Sequence, residues 1–411
     1  MSDRERSTER IEHDVQTLAG PDFTESDTAI CRYAYTDVYR NTLAYFTEQF
    51  ERLGYEVWQD PVGTLVASNR PRGAEAFGIG SHCDSNRNGG KWDGTLGVVV
   101  ALEVARLAAD EGLDLPLRVL SFLEEEGSGF GQMLLGSRIM LQRVTEEDLR
   151  QHIRTDEGQP FWDAAQAAGY EPERWRESIH ELDGLVGWVE THIEQGRVLQ
   201  DTGNRIGIVE AIAGYVHGDL RFTGRADHAG ATPMDFRVDA SIPGAETIVE
   251  LERLANEVGR GVVGTAGEVE TSPSLINVVP GGMRMSLDLR SVTGAHLDLQ
   301  ERIVAFARER GEARGVGVEW TERQRLPETP LDRGIVDALV AGAEATGEPY
   351  RVMPSGAAHD TMCVADRVPS AMVFVPCKDG LSHTPLEDAS PADGALAAEI
   401  VLAAIRRRLG V

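Results

Sequence analysis

LGVVVALEVARLAADEGLDLPLRVLSFLEEE, residues 96–126, is the stretch of the chain whose pattern decides the fold. Residues 96–109 are apolar on nearly every side, which predicts a buried helix, and residues 117–123 form the short apolar run of a buried strand. A helix followed by such a strand is the repeat of an α/β layer with a largely parallel sheet. Three glutamates follow the strand, at its carboxyl end. In sheets of this kind the functional residues lie on the loops at the carboxyl ends of the strands.

The segments on either side extend this α/β pattern. Helical spacing predicts further helices over residues 8–18, 36–53, 334–345 and 391–409. Short apolar runs bounded by Gly, Asn or Pro predict strands in YEVWQD (55–60), GTLVASN (63–69), AFGIGSHCD (76–84) and PSAMVFVP (369–376). We therefore predict an α/β domain, residues 1–212 and 327–411, with a largely parallel mixed sheet flanked by helices.

A different pattern fills residues 213–326. A strand in GYVHGDLRFTG (214–224) and a helix over 242–258 come first, and SLINVVPGGMRMSLDLRS (274–291) predicts two strands around a Pro-Gly-Gly turn. A helix over 296–314 and a strand in GVEWTERQR (317–325) follow. The order β-α-β-β-α-β predicts an inserted ferredoxin-like α+β domain.

The charge of the chain excludes one class of partner and describes the surface. A net charge of -27 argues against nucleic acid, because the polyanion would be repelled. Lys91 and Lys378 are the only lysines, and this depletion with an acid excess indicates adaptation to high salt, or else an acidic mesophile. No apolar run reaches the ~18 residues of a membrane helix, and the charged start has no secretory h-region, so we expect a cytoplasmic protein.

Five short motifs carry residue types that bind metals or move protons. Each lies at the end of a predicted strand or in a loop: GSHCD (80–84), GGKWDG (89–94), EEEGS (124–128), THIEQG (191–196) and GLSHTP (380–385). Taken singly, each has an ordinary structural interpretation as a core histidine, a turn aspartate or a solvated run of charge. Their conjunction is what indicates a site.

Three of the motifs carry a physical argument of their own. In an extended strand, residues two apart point to one face, so Asp84 can hydrogen-bond the distal nitrogen of His82 and fix its tautomer. Asp93 lies between glycines before a buried helix, where its carboxylate could bridge two cations. The three adjacent carboxylates of residues 124–126 repel one another unless cations neutralise them, so a metal is a natural explanation.

Together the motifs resemble those of the N-carbamoyl-L-amino-acid hydrolases, allantoate amidohydrolases and beta-ureidopropionases, which are related to carboxypeptidase G and the aminoacylases. The resemblance extends from about residue 60 to about residue 390. It is carried by GSHCDSNRNGGKWDG, EEEGSGFGQMLLGSR, HIEQGRVLQ, DHAGATPMDFRVDA, INVVPGGMRMSLDLRS, PSGAAHD and FVPCKDGLSHTPLEDAS.

The resemblance implies a role for each candidate residue. Glu125 would be the general base, and two divalent metal ions per subunit would be held by His82, Asp93, Glu126, His192 and His383, with Asp93 bridging both. Substrate contacts would come from Gln195, His228, Asn277, Arg290 and Ala358. A mixed histidine and carboxylate set suits zinc, with manganese, cobalt and nickel as alternatives. The resemblance also implies a cis peptide bond between Asp93 and Gly94.

The same resemblance implies a partner and a reaction. Residues 213–326 would be a lid and dimerisation domain, with His228 reaching into the site of a second copy in a homodimer. The substrate would be a small ureido acid, whose carbamoyl C–N bond is hydrolysed to amino acid, carbon dioxide and ammonia. Allantoate and β-ureidopropionate are alternative substrates. A dipeptidase or aminoacylase is the nearest rival, which His192 disfavours, and an inactive homologue that only binds is the rival from another class.

Three positions depart from the usual pattern of these proteins. Gly129 replaces an Arg, Cys83 replaces an apolar residue after the metal histidine, and Asn86-Arg87 replaces Val-Pro. The implied ligand set is unaffected, so the departures bear on the substrate rather than on the reaction.

Overall fold

The computed structural model describes residues 2–259 and 261–411. The chain forms two compact units: one combines the chain up to Glu210 with Leu331–Val411, and the other is Ala211–Pro330. The boundaries expected from the sequence, at 212/213 and 326/327, lie close to these. The functional roles expected of the two units stay predictions.

The strands of the chain are numbered in sequence order. They are β1 Glu56–Gln59, β2 Leu65–Ser68, β3 Ala76–His82, β4 Leu117–Phe122, β5 Leu185–Ile193, β6 Ile206–Ile212, β7 Gly214–Thr223, β8 Asp227–His228, β9 Val262–Thr265, β10 Val269–Ser272, β11 Val278–Val279, β12 Gly282–Ser291, β13 Gly317–Leu326, β14 Thr329–Pro330, β15 Tyr350–Ser355 and β16 Ser370–Val375.

The α-helices follow the same numbering. They are α1 Asp3–Leu18, α2 Asp37–Arg52, α3 Thr95–Asp110, α4 Leu135–Met140, α5 Phe161–Ala167, α6 Val198–Thr202, α7 Ser241–Val258, α8 Ala295–Glu312, α9 Arg333–Thr346, α10 Thr361–Val364 and α11 Pro391–Leu409. None of the helices in the described ranges combines the length and apolar character that a membrane span requires.

The first unit is built on a mixed sheet in the order β1-β2-β4-β3-β5-β16-β6-β14, with β15 beside β6. Its four central strands, β4, β3, β5 and β16, are parallel, and β2 and β6 add to them in the antiparallel sense. The buried helix α3 packs against β3 and β5, and α11 packs against α1, α3 and α9. The predicted α/β class is confirmed, and the four central strands of the sheet pair in parallel.

This arrangement positions the functional residues. The carboxyl ends of parallel strands meet at one edge of the sheet. His82 ends β3, Glu124 comes two residues after β4, His192 lies one residue before the end of β5, and the loop after β16 carries His383. Residues far apart in the sequence are therefore brought to one edge.

The second unit has a sheet in the order β10-β12-β7-β13, with β9 also paired to β12, and the helices α7 and α8 pack on each other. This is the predicted ferredoxin-like order, but the expected second strand is wrong. Residues 274–279 do not pair with β12: only β11 is a strand there, and it pairs with β8. β9 and β10 take the place beside β12, and Leu275 and Ile276 are exposed.

Candidate metal centre

Two groups of potential ligands meet at Asp93, in the turn before α3. The first consists of His82, Asp93 and His192, all buried. The His192 Nε2 is 3.1 Å from Asp93 Oδ1 and 3.4 Å from His82 Nε2, and His82 Nε2 is 3.9 Å from Asp93 Oδ1. The two imidazole nitrogens and the Asp93 oxygen are three donor atoms that lie close enough together to bind one divalent cation.

The second group consists of Asp93, Glu126 and His383. The His383 Nε2 lies 3.4 Å from Asp93 Oδ2 and 3.4 Å from Glu126 Oε2. Within each group the donor atoms lie within 4.8 Å of one another. Asp93 thus offers one oxygen to each group, and the residues fit two divalent cations that share its carboxylate.

Main-chain contacts orient the two buried histidines. The His192 Nδ1 is 2.9 Å from the Ile193 carbonyl oxygen, which leaves Nε2 facing Asp93. The His82 Nδ1 is 3.3 Å from the Asp84 carbonyl oxygen and 3.5 Å from the Asp84 carboxylate. The Asp84 side chain, which was expected to orient the His82 ring, therefore lies close to it, but the Asp84 carbonyl oxygen is closer to His82 Nδ1.

The Asp84 carboxylate also makes two hydrogen bonds that were not predicted from the sequence. Its two oxygens accept from the main-chain N–H groups of Glu125 and Glu126, each at 3.1 Å. Asp84 therefore ties the end of β3 to the loop that presents both glutamates.

The three glutamates after β4 face different surroundings. Glu124 turns away at a positive φ of 54°, and its carboxylate accepts from the N–H groups of Gly129 (2.6 Å) and Phe130 (2.8 Å). Burial raises the pKa of Glu124 to about 8. A Cβ at position 129 would meet the Glu124 carboxylate at 2.8 Å, so the glycine allows the loop to close over it.

Glu125 and Glu126 lie beside the histidines. The Glu125 Oε2 is 3.7 Å from His82 Nε2, and burial raises the pKa of Glu125 well above its ordinary value. Burial, and then the negative charge of Asp93, raises the pKa of Glu126 to about 7. Several carboxylates buried close together repel one another, and a bound cation would neutralise their charge.

Several polar side chains surround the Asp93 carboxylate. Gln195, at a positive φ of 58°, donates from Nε2 to Asp93 Oδ2 at 3.0 Å, and the Ser382 hydroxyl donates to the same oxygen at 2.8 Å. Asn86, one of the departures, has its amide nitrogen 3.3 Å from His383 Nδ1. Gln195, expected at the substrate, thus contacts Asp93, the residue common to the two groups.

His359 is a buried residue beside the centre that was not assigned a role from the sequence. Its ring packs edge-on against His192 at 4.7 Å, and its Nε2 is 2.9 Å from the Ser355 hydroxyl. Burial lowers the pKa of His359 well below its ordinary value. Ala358, the expected main-chain contact for substrate, precedes it and is partly exposed.

The remaining expected substrate residues belong to the second unit. The exposed His228 accepts at Nδ1 from the N–H groups of Gly230 and Ala231, each at 3.1 Å. The Asn277 carbonyl oxygen accepts from the N–H of Ala229 at 2.9 Å, in the segment paired with β8. Their part in the site stays a prediction.

Arg290, also in the second unit, is held by its neighbour on β12. Its Nε is 2.9 Å from Asp288 Oδ1 and its Nη2 is 2.9 Å from Asp288 Oδ2. The guanidinium lies 5.6 Å from the centre of the Tyr215 ring, and Asp288 is also 3.3 Å from His217 Nε2. Contact between Arg290 and a substrate likewise stays a prediction.

The expected cis peptide bond after Asp93 is wrong. Among the described residues the cis bond is Ser272–Pro273. Gly94 makes the turn instead with a positive φ of 60°, and a side chain there would overlap the His82 ring.

Known proteins match the chain along nearly all of its length. The model of peptidase family M20/M25/M40 matches residues 79–407. The N-carbamoyl-L-amino-acid amidohydrolase of Paenarthrobacter aurescens is 33% identical over 407 residues, 98% of each chain. The allantoate amidohydrolase of Escherichia coli K12 is 32% identical over 370 residues, 88% of this chain and 89% of that one.

A solved structure agrees with these matches. An amidase of the hydantoinase/carbamoylase family from Burkholderia multivorans superposes with a TM-score of 0.90 at 28% identity, covering 98% of this chain and 97% of that one. Fold and relatives together define an amidohydrolase, a hydrolase that acts on C–N bonds. The chain belongs to the peptidase family M20/M25/M40. Members of this family generally depend on two metal ions, and the chain has two residue groups that could hold them.

Proposed function

We propose that the protein hydrolyses the carbamoyl C–N bond of an N-carbamoyl amino acid and releases the amino acid, carbon dioxide and ammonia. The observation that carries the proposal is the pair of ligand groups sharing Asp93, with Glu125 beside them. The names of the relatives support the choice of a ureido substrate.

The metal ions have an assigned place in this proposal. His82 and His192 would hold one ion and Glu126 and His383 the other, with Asp93 between them. When bound, the ions would supply Lewis acidity, which lowers the pKa of water and polarises a substrate carbonyl. Zinc suits these donors, and manganese, cobalt and nickel are the alternatives.

Glu125 is the proton carrier in the proposal. Its carboxylate lies 3.7 Å from His82 but belongs to neither ligand group, so an oxygen is left for proton transfer. Glu125 takes a proton from the attacking water and delivers it to the leaving nitrogen. Its 5% exposure keeps bulk water away from that proton.

Substrate contacts are proposed for four residues, as the resemblance to the N-carbamoyl-L-amino-acid hydrolases implies. They are Gln195, the main chain at Ala358, Asn277 and Arg290. His228 of a second copy in a homodimer would donate to the carbonyl oxygen as charge develops on it.

Arg290→Lys is expected to lower kcat/KM on a carboxylate substrate by about 10- to 100-fold, because a lysine keeps the charge but loses the planar fork. Arg284→Lys is the matched control on the same strand. Arg284 is engaged by Asp219, Glu268 and Glu270, and its replacement should leave kcat/KM unchanged. Steady-state kinetics measure both. Equal kcat/KM in the Arg290 variant and the wild type would remove Arg290 from the substrate site.

Metal affinity is expected to rise with pH. The pKa of Glu126 is about 7, raised first by burial, and the pKa of His383 is about 9, raised first by its hydrogen bond to Asp93. Both residues must lose a proton to become ligands. Metal binding should therefore release more protons at low pH than at high pH. Calorimetry in buffers of different ionisation enthalpy measures this release, and an affinity independent of pH would contradict the assignment.

An ammonia-release assay tests the proposed reaction. The metal-free protein is reconstituted with Zn²⁺, Mn²⁺, Co²⁺ or Ni²⁺ and given N-carbamoyl-α-amino acids, β-ureidopropionate, allantoate and ureidoglycolate. N-acetyl amino acids and dipeptides are the rival substrates, and because their hydrolysis yields no ammonia it is followed by the free amino acid released. The expected result is metal-dependent turnover of N-carbamoyl amino acids. Preference for allantoate or β-ureidopropionate would move the substrate within the ureido class. Turnover of acetyl amino acids or dipeptides alone would refute the proposal.

A further inference from the structure

Glu387 is a buried carboxylate on the far side of the turn that carries Asp93. It is 3% exposed, and its Oε1 accepts from the main-chain N–H groups of both Trp92 and Asp93, at 2.9 Å each. No hydrogen-bond partner for its Oε2 exists within residues 2–259 and 261–411. The proposed reaction gives this residue no part.

The same short loop also carries His383. The Glu387 N–H donates to the Thr384 carbonyl at 3.0 Å, and the loop is closed at its base by the Lys378 N–H, which donates to the Asp388 carbonyl at 2.8 Å. Asp388 adds a contact at 3.3 Å from its Oδ1 to the Trp92 indole nitrogen. Glu387 thus connects the loop that carries His383 to the turn that carries Asp93, and both residues belong to the second group.

The chain leaves room for this carboxylate at one glycine. A methyl group at Gly90 would overlap the side chain of Glu387, including its carboxylate carbon. Gly90 has no positive φ, so an alanine there would be free of backbone strain. The absence of a side chain at position 90 is therefore explained by the position of Glu387.

Stability alone is a poor reason for this arrangement. A buried carboxylate with one oxygen unpartnered is unfavourable for folding.

We propose that Glu387 is a positioning residue of the metal centre, which fixes the Asp93 turn against the His383 loop so that both ligands face one cation. The proposal rests on the assignment of Asp93 and His383 as ligands. The two accepted N–H bonds set the direction in which the Asp93 side chain leaves the main chain. Residues that orient metal ligands in this indirect way typically contribute about 10- to 100-fold to metal affinity.

Cobalt titration of the chelator-treated full-length protein tests the proposal, read by calorimetry and by the visible absorption of bound Co²⁺. Glu387→Ala removes both accepted bonds and should weaken Co²⁺ binding by about 10- to 100-fold. Glu387→Gln keeps the accepting oxygen and should bind within about threefold of the wild type, a change below ~1 kcal/mol. Glu181→Ala is the matched control: it also removes a buried carboxylate, one that accepts from the Trp58 indole at 2.9 Å, and should leave the affinity unchanged.

Gly90→Ala provides a second test that leaves the carboxylate in the protein. Its methyl group should displace Glu387 and weaken Co²⁺ binding as Glu387→Ala does. Should Glu387→Ala fail to fold, Gly90→Ala and Glu387→Gln still decide.

The outcomes separate this inference from the proposed function. A wild type that binds two Co²⁺ ions beside a Gly90→Ala or Glu387→Ala variant of equal affinity overturns the positioning role alone. A glutamine variant as weak as the alanine variant also overturns it, since the accepted hydrogen bonds would then not be what matters. A wild type that binds no metal refutes the metal centre itself, and this inference with it.

Discussion

Glu125→Gln is expected to lower kcat by about 10²–10⁴-fold while the metal content stays at the wild-type level. Glutamine preserves the shape of the side chain but cannot take the proton of the attacking water. Because Glu125 belongs to neither ligand group, both groups keep all their donor atoms. Ammonia release and metal analysis of the same preparation measure the two quantities.

The neighbouring glutamates are the controls for this result. Glu126→Gln should lower metal occupancy, because Glu126 is a member of the second group. Glu124→Gln should keep both metal and turnover within about threefold, a barrier change below ~1 kcal/mol. The Glu124 carboxylate accepts from Gly129 and Phe130, and glutamine can still accept there. Equal loss of metal in the variants at 125 and 126 would show that the division of roles is wrong.

The α/β layer could be predicted because its signals are local. α11 spans Pro391–Leu409, as helical spacing and the proline at its start indicate. α3 is apolar on nearly every side because nearly all of its residues are buried, so its burial can be predicted from the sequence.

The second strand of the inserted domain could not be predicted because its signal is weak. β9 and β10 are short and have no buried residue, with Gly264 inside β9 and Glu270 inside β10. They are strands because β12 offers them main-chain partners. The more apolar residues 274–279 suggested burial, yet apolar character alone does not identify the partner, and Ile276 is fully exposed.

The same distinction holds in the metal centre. Candidate ligands could be found from the sequence because histidines and carboxylates follow buried strands. The Asp93 carboxylate contacts Ser382, which is 289 positions further along the chain, and the Asp93 N–H donates to Glu387, which is 294 positions further along. Contacts over such separations cannot be predicted from a local sequence pattern. Asn86 stood out only as a departure, and the structure places its amide beside His383.

Asp93→Ala is expected to remove both metal ions, whereas the loss of any other ligand should affect one group. Asp93 is the residue common to the two groups, with Oδ1 facing His192 and Oδ2 facing His383. Turnover should fall by about 10³-fold or more, equivalent to ~4 kcal/mol of barrier. Metal analysis after gel filtration and ammonia release measure the two effects.

A graded set of variants decides whether Asp93 is shared. His82→Ala should lose one ion and keep the other, because the second group does not include His82. Ser382→Ala removes only a hydroxyl that donates to Asp93, so both ions should remain. After chelation, adding metal back should restore the wild type and Ser382→Ala but not Asp93→Ala. If both ions share the Asp93 carboxylate, Asp93→Ala must weaken the binding of both. An Asp93→Ala protein that still held one ion at full affinity would mean that the two groups are independent.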